Sequence, residues 1–177
     1  MLATPIGGLE VTVADGAVVG VRFSRQSPNA QPSHPESVDP HGLDPVLATA
    51  WAELTQYFAG ERTRFTVPVR FTRGSPFERA VWARIATIPY GQMTTYGQIA
   101  RDLGEPGGAQ AVGAACGRNP VPVIVPCHRV VGANGTLVGF GGGLPRKRQL
   151  LTLEARVAIE HGLGPRDDDG DAPPLLW

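Results

Sequence analysis

The chain has 177 residues, of which 42% are hydrophobic and 18% charged, enough for one ordinary domain or two small ones with a buried core. Sixteen basic and sixteen acidic side chains cancel, so any electrostatic role must come from where the charges sit. Two cysteines, Cys116 and Cys127, and four scattered histidines exclude a disulfide framework and do not have structural zinc spacing.

The opening MLATPIGGLEVTVADG lacks a basic stretch followed by an apolar one, and nothing approaches the roughly 18 apolar residues of a membrane span. A cytoplasmic protein is expected. Residues 9–24, LEVTVADGAVVGVRFS, hold two valine-rich runs joined at Asp15-Gly16, a strong hairpin signal. Residues 25–44 carry four prolines and little that is apolar, and read as a flexible loop. In residues 45–58, Leu47, Trp51, Leu54 and Phe58 recur at helical intervals up to Gly60.

A second unit starts at SPFERAVWARIATIPYG, where Ser75, Pro76 and Glu78 form a helix start and Phe77, Val81, Trp82 and Ile85 an apolar stripe. TTYGQIARDLG gives a short helix capped by Thr95, and a third runs from about Gly107 to Cys116, closed by Gly117 and Pro120. Two short helices around a turn rich in glycine make a helix-turn-helix candidate whose second member is mostly alanine and glycine. VPVIVP reads as extended, a loop with six glycines follows, and a last helix spans Pro145 to about Ala158. The fold class expected is α/β (α+β): an N-terminal α/β domain with an antiparallel sheet (residues 1–68), a mainly helical C-terminal domain (74–160) and an acidic tail (161–177).

Charge is segregated along this plan. Between Glu61 and Leu150 twelve basic side chains face four acidic ones, and the balancing acids include the run Asp167–Asp171. Such a segment suits nucleic acid, although a solvated arginine-rich surface has the same composition. Fifteen of the sixteen basic residues are arginine; the sixteenth is Lys147.

The stretch IVPCHRVVG concentrates the chemistry. A buried cysteine is commonly an inert packing residue, but a thiol beside His128 and Arg129 has cations at hand to stabilise a thiolate. Neighbouring side chains on an extended chain point to opposite faces, so cooperation of Cys127 and His128 requires a turn or a bridging water. A histidine base also needs an orienting acceptor, for which Glu154 on the following helix is better placed than Asp102 or Glu105.

From about Phe77 to Glu154 the chain resembles the O6-alkylguanine-DNA alkyltransferase family, through FERAVW, IPYG, TYGQIA, AVGAACGRNP and PCHRV in order. The resemblance implies direct-reversal DNA repair, in which Cys127 takes the alkyl group from O6-alkylguanine in double-stranded DNA once, without metal or cofactor. His128 would act through a water as base and Glu154 would orient it. Tyr96, Gln110, Ala111, Ala114 and Arg118 would meet DNA, whose target nucleotide is flipped out of the stack. Asn119 would be a hinge, and Pro122, the backbone of Val130, Phe140 and Gly141 would line the pocket, with Arg129 a structural brace. A monomer is implied; cooperative binding and O4-alkylthymine repair stay open. Two positions depart from the pattern: Gln110 stands where relatives carry an arginine that fills the gap in the stack, and Phe140 where they often have tyrosine. Two other readings remain, an alkylated-DNA recognition module without transfer and a Cys-His hydrolase.

Overall fold

The computed structural model describes residues 1–24, 44–163 and 173–176. The loop 25–44 and the acidic run therefore lie almost wholly outside the described residues. Strands β1 (Leu9–Ala14) and β2 (Ala17–Phe23) pair antiparallel. Both turn residues, Asp15 and Gly16, have positive φ (47° and 72°), the combination a type I′ hairpin loop requires. Helix α1 (Pro45–Ala59) is capped by the Asp44 carboxylate, which accepts from Val46 N at 2.8 Å, and stops at Gly60 with φ 82°.

The buried face of α1 is rotated from the stripe that hydrophobicity predicts. Ala50, Glu53, Leu54 and Tyr57 are buried, whereas Leu47, Trp51 and Phe58 are only partly covered. Two polar residues sit inside because each finds partners. Glu53 accepts from Thr66 N at 2.9 Å and Val67 N at 3.1 Å and from the Thr66 hydroxyl, fixing the chain as it leaves α1. Tyr57 serves the site described below.

Strand β3 (Val69–Arg70) then returns parallel to β2, and β6 (Leu175–Leu176) adds parallel to β3, giving the order β1-β2-β3-β6. The sheet is mixed, since only its hairpin is antiparallel. The end of the expected tail is thus sheet rather than a trailing segment: Val69 N donates to Pro174 O at 2.7 Å and Leu175 packs against the core.

Helix α2 (Pro76–Ala86) carries the expected reciprocal cap, Ser75 with Glu78. It buries Trp82, whose indole N–H donates to Ala115 O at 2.8 Å and so ties α2 to α4 (Ala109–Gly117). Between them lie β4 (Thr94–Thr95) and α3 (Tyr96–Asp102), and the segment 103–108 turns through Gly104 and Gly107 at positive φ. Strand β5 (Val130–Val131) pairs parallel with β4, and α5 (Leu144–Glu160) closes the unit. A continuous apolar cluster runs from Leu9 and Val18 of the hairpin through Trp82 and Ile99 to Leu150 and Val157, so α5 is held against both halves.

Glu53→Ala should cost about 2 kcal/mol, because it strands the buried Val67 N–H and removes the acceptor of the partly buried Thr66 N–H. Urea unfolding measures it, and an unchanged midpoint would contradict this account of the buried face.

Candidate active site

Residues 119–126 do not form the strand expected for VPVIVP. Pro120, Pro122 and Pro126 have no N–H to give a sheet ladder, and the chain folds into a tight loop in which Val125 N donates to Val121 O at 2.9 Å. Asn119 clamps this loop at both ends, its amide donating to Val125 O at 2.8 Å and its carbonyl oxygen accepting from Val121 N at 3.0 Å. Val123 is held at φ 77°, a conformation a β-branched residue rarely adopts. The clamp aims the next three residues.

These residues, Cys127–Arg129, make one turn of 3-10 helix, with Arg129 N donating to Pro126 O at 2.9 Å. With three residues per turn their side chains fan apart. This is the turn that the Cys-His adjacency calls for. Cys127 lines a cavity of about 280 Å³ together with Asn119, Pro122, Phe140 and Gly141. Its walls also include Val21 and Phe23 of β2, and Phe23 packs edge-on against Phe140 at 5.7 Å.

His128 and Arg129 turn instead to Glu154, which α5 holds 1% exposed. Its Oε1 accepts from His128 Nε2 at 2.8 Å, Tyr57 Oη at 2.6 Å and Arg129 Nη2 at 3.0 Å, and its Oε2 from Arg129 Nε at 2.9 Å and Gly91 N at 3.1 Å. Burial alone would raise the Glu154 pKa, but Arg129 and His128 outweigh it and hold the carboxyl well below the usual range. His128 is driven the other way: burial, opposed by Glu154, lowers its pKa, so at neutral pH the imidazole is uncharged. With Nε2–H committed to Glu154, Nδ1 is a buried nitrogen that bonds to no described residue. Burial pushes the Cys127 thiol up to about 11, against the pull of the Asn119 amide and the Lys147 ammonium. At rest it is a thiol, which needs a base.

Residues 76–156 match the family described as 6-O-methylguanine DNA methyltransferase, DNA binding domain, and residues 1–71 match its ribonuclease-like domain. The chain belongs to the 6-O-methylguanine DNA methyltransferase family. It is 44% identical to the methylated-DNA–protein-cysteine methyltransferase of Mycobacterium tuberculosis over 151 residues, 85% of this chain and 88% of that protein. To the inducible enzyme of Bacillus subtilis it is 51% identical over 117 residues, 66% of this chain and 65% of the other. The crystal structure of Mycobacterium tuberculosis OGT in complex with DNA superposes with a TM-score of 0.74 at 42% identity, covering 88% of this chain and 91% of that one.

The other expected site residues of this methyltransferase-family chain fall on the exposed face of α4, behind α4 and in the core. Gln110, Ala111, Ala114 and Arg118 share the exposed face of α4, opposite buried Val112, Ala115 and Cys116. Arg118, whose side chain is exposed, is held by the less exposed Glu78 at 2.9 Å. Tyr96 packs behind α4, its hydroxyl donating to Val138 O at 2.9 Å. Val130 does not line the cavity; its side chain is core and its carbonyl accepts from Lys147 Nζ at 2.6 Å.

Lys147 is one of the residues that sequence reasoning passes over. It is wholly buried, and its ammonium also donates to Val138 O at 2.8 Å and Gly139 O at 3.2 Å, pinning the glycine-rich loop beside the cavity. Its being the sole lysine was the available signal, since a compact ammonium with three donors suits converging carbonyls as a planar guanidinium does not. Tyr57, Val21 and Phe23 gave no such signal.

The lowered pKa of Glu154 sets a pH dependence. Stability from its ionised form is complete above its ordinary value of 4.5 and is lost as pH falls from there through the folded value. Urea unfolding at descending pH should therefore show wild type losing its advantage over Glu154→Gln below about pH 4.5. A constant difference would mean the carboxylate is not ionised in the fold.

Proposed function

We propose that this chain repairs O6-alkylguanine in double-stranded DNA by moving the alkyl group to Cys127, once per molecule. The observation that carries the reading is a thiol on a cavity wall, backed by a buried His128–Glu154 pair and flanked by the exposed face of α4. A water relays the thiol proton to His128 Nδ1. The sulfur attacks the alkyl carbon, the C–S bond forms as the O6–C bond breaks, and the bonding pair returns to the base, which takes up a proton. Glu154 stabilises the imidazolium formed. The thioether product has no bond that water opens, so one chain serves one lesion.

On this reading residues 74–160 carry transfer and DNA contact, residues 1–68 support them, and 161–177 supply β6 after the acidic run. Small Ala111 and Ala114 let the α4 backbone approach the groove, with Tyr96 behind it and Gln110 entering the base stack. Asn119, Pro122, Phe140 and Gly141 hold the extruded guanine near the sulfur. No helix among the described residues is long and apolar enough to cross a membrane. Two free cysteines, one of them the nucleophile, fit the reducing cytoplasm.

The test mixes the protein with a duplex carrying labelled O6-methylguanine and counts label per chain. One label per molecule on Cys127, abolished in Cys127→Ala, is expected. Tight binding without label would favour a recognition module, and turnover without label a hydrolase. Gln110→Arg should tighten binding to the lesion duplex and speed transfer roughly threefold to tenfold, about 1 kcal/mol of stacking and charge. Unchanged affinity and rate would remove Gln110 from the stack.

A further inference from the structure

Tyr57 brings a hydroxyl to the Glu154 carboxylate from α1, outside the unit that carries the thiol. Its ring is fully buried and packs against those of Phe58, Phe65 and Tyr90 at 5.2, 5.4 and 5.9 Å between centroids, so the hydroxyl has little freedom to move. It donates to Glu154 Oε1 at 2.6 Å, the same oxygen that accepts from His128 Nε2, and its own oxygen lies 3.5 Å from that nitrogen.

We propose that Tyr57 is a positioning residue for alkyl transfer, which keeps His128 uncharged and protonated on Nε2 so that Nδ1 is free as the base. The inference rests on the reading of His128 as base given above. Two effects of geometry act together. The hydroxyl shares the negative charge of Oε1, which weakens the pull of Glu154 on an imidazolium, and its oxygen offers the Nε2 proton a second acceptor. Burial, then Glu154, raises the Tyr57 pKa well above its ordinary value, so the hydroxyl remains a donor throughout.

The other charged and titratable groups around this pair are unchanged when only the hydroxyl is removed. Arg129, on the same turn as His128, bonds Glu154 and opposes protonation of the imidazole, as does Lys147 from α5. Tyr90, ahead of β4, faces both Glu154 and Arg129, and Arg156 of α5 acts on Tyr90. The Cys127 thiol is uncharged near neutrality.

Single-turnover transfer from an O6-methylguanine duplex, followed from mildly acidic to mildly alkaline pH, tests the role. Tyr57→Phe should slow transfer roughly tenfold at neutral pH, the loss of one hydrogen bond to a buried charge. The loss should deepen as pH falls and shrink as pH rises, because the imidazole of the variant protonates at higher pH. DNA affinity and the stoichiometry of one label per chain should not change. A fluorotyrosine placed at position 57 keeps the packing and strengthens the donor, so it should move the acid limb the opposite way, even if Tyr57→Phe folds poorly. A loss equal at every pH, no loss, or a fluorotyrosine profile unmoved from wild type would overturn the proposal. The underlying reading fails separately: His128→Gln would then transfer at the wild-type rate, whatever position 57 does.

Discussion

The structure depends on one buried carboxylate. Glu154 takes five hydrogen bonds from α1, the segment ahead of β4 and the Cys127–Arg129 turn, while itself riding on α5. Burying a lone carboxylate costs several kcal/mol, and here the Arg129 guanidinium, held on its other edge by Ile88 O, offsets that cost with two bonds. Geometry follows from charge. Because Arg129 must reach Glu154, the chain turns at Cys127, and because it turns, the thiol faces the cavity while the imidazole faces the carboxylate.

The same burial sets the chemistry. A thiol raised to about 11 and an uncharged imidazole form a resting site with little thiolate, protected from alkylating and oxidising agents in bulk water. On the proposed function, reactivity then comes from the arrival of an extruded base and not from a standing anion. If Cys127 is used once per lesion, as proposed, this is a physical advantage, since stray alkylation there leaves a thioether that water does not open. Lys147 binds the Val130, Val138 and Gly139 carbonyls, and its charge is close enough to favour a developing thiolate at Cys127.

Local signals in the sequence were strong where structure is local. The Asp15-Gly16 turn, the Ser75 cap and the Thr95 cap lie where turn and capping chemistry put them, and the helices agree to within a few residues. Cys127, His128 and Glu154 could be singled out together because Cys127 and His128 adjoin and Glu154 follows in a recognised order, and the fold brings His128 Nε2 within 2.8 Å of Glu154. What escaped depends on contacts distant in sequence. Tyr57 and Glu53 lie off the apolar stripe of α1, and such a stripe records hydrophobicity and not the partner 97 residues away that makes the buried Tyr57 hydroxyl favourable. The valines of VPVIVP argued for a strand, but three prolines and the Asn119 clamp made a strained loop. Strand β6 has two residues, too short for any pattern to announce.

The central claim is that Glu154 fixes His128 as a neutral imidazole with its proton on Nε2. Nitrogen-15 NMR of protein labelled at histidine, recorded at neutral pH, reads this state from the shifts of the two ring nitrogens. The account predicts a protonated Nε2 and a bare Nδ1 for His128; a proton on Nδ1, or on both nitrogens, would contradict it.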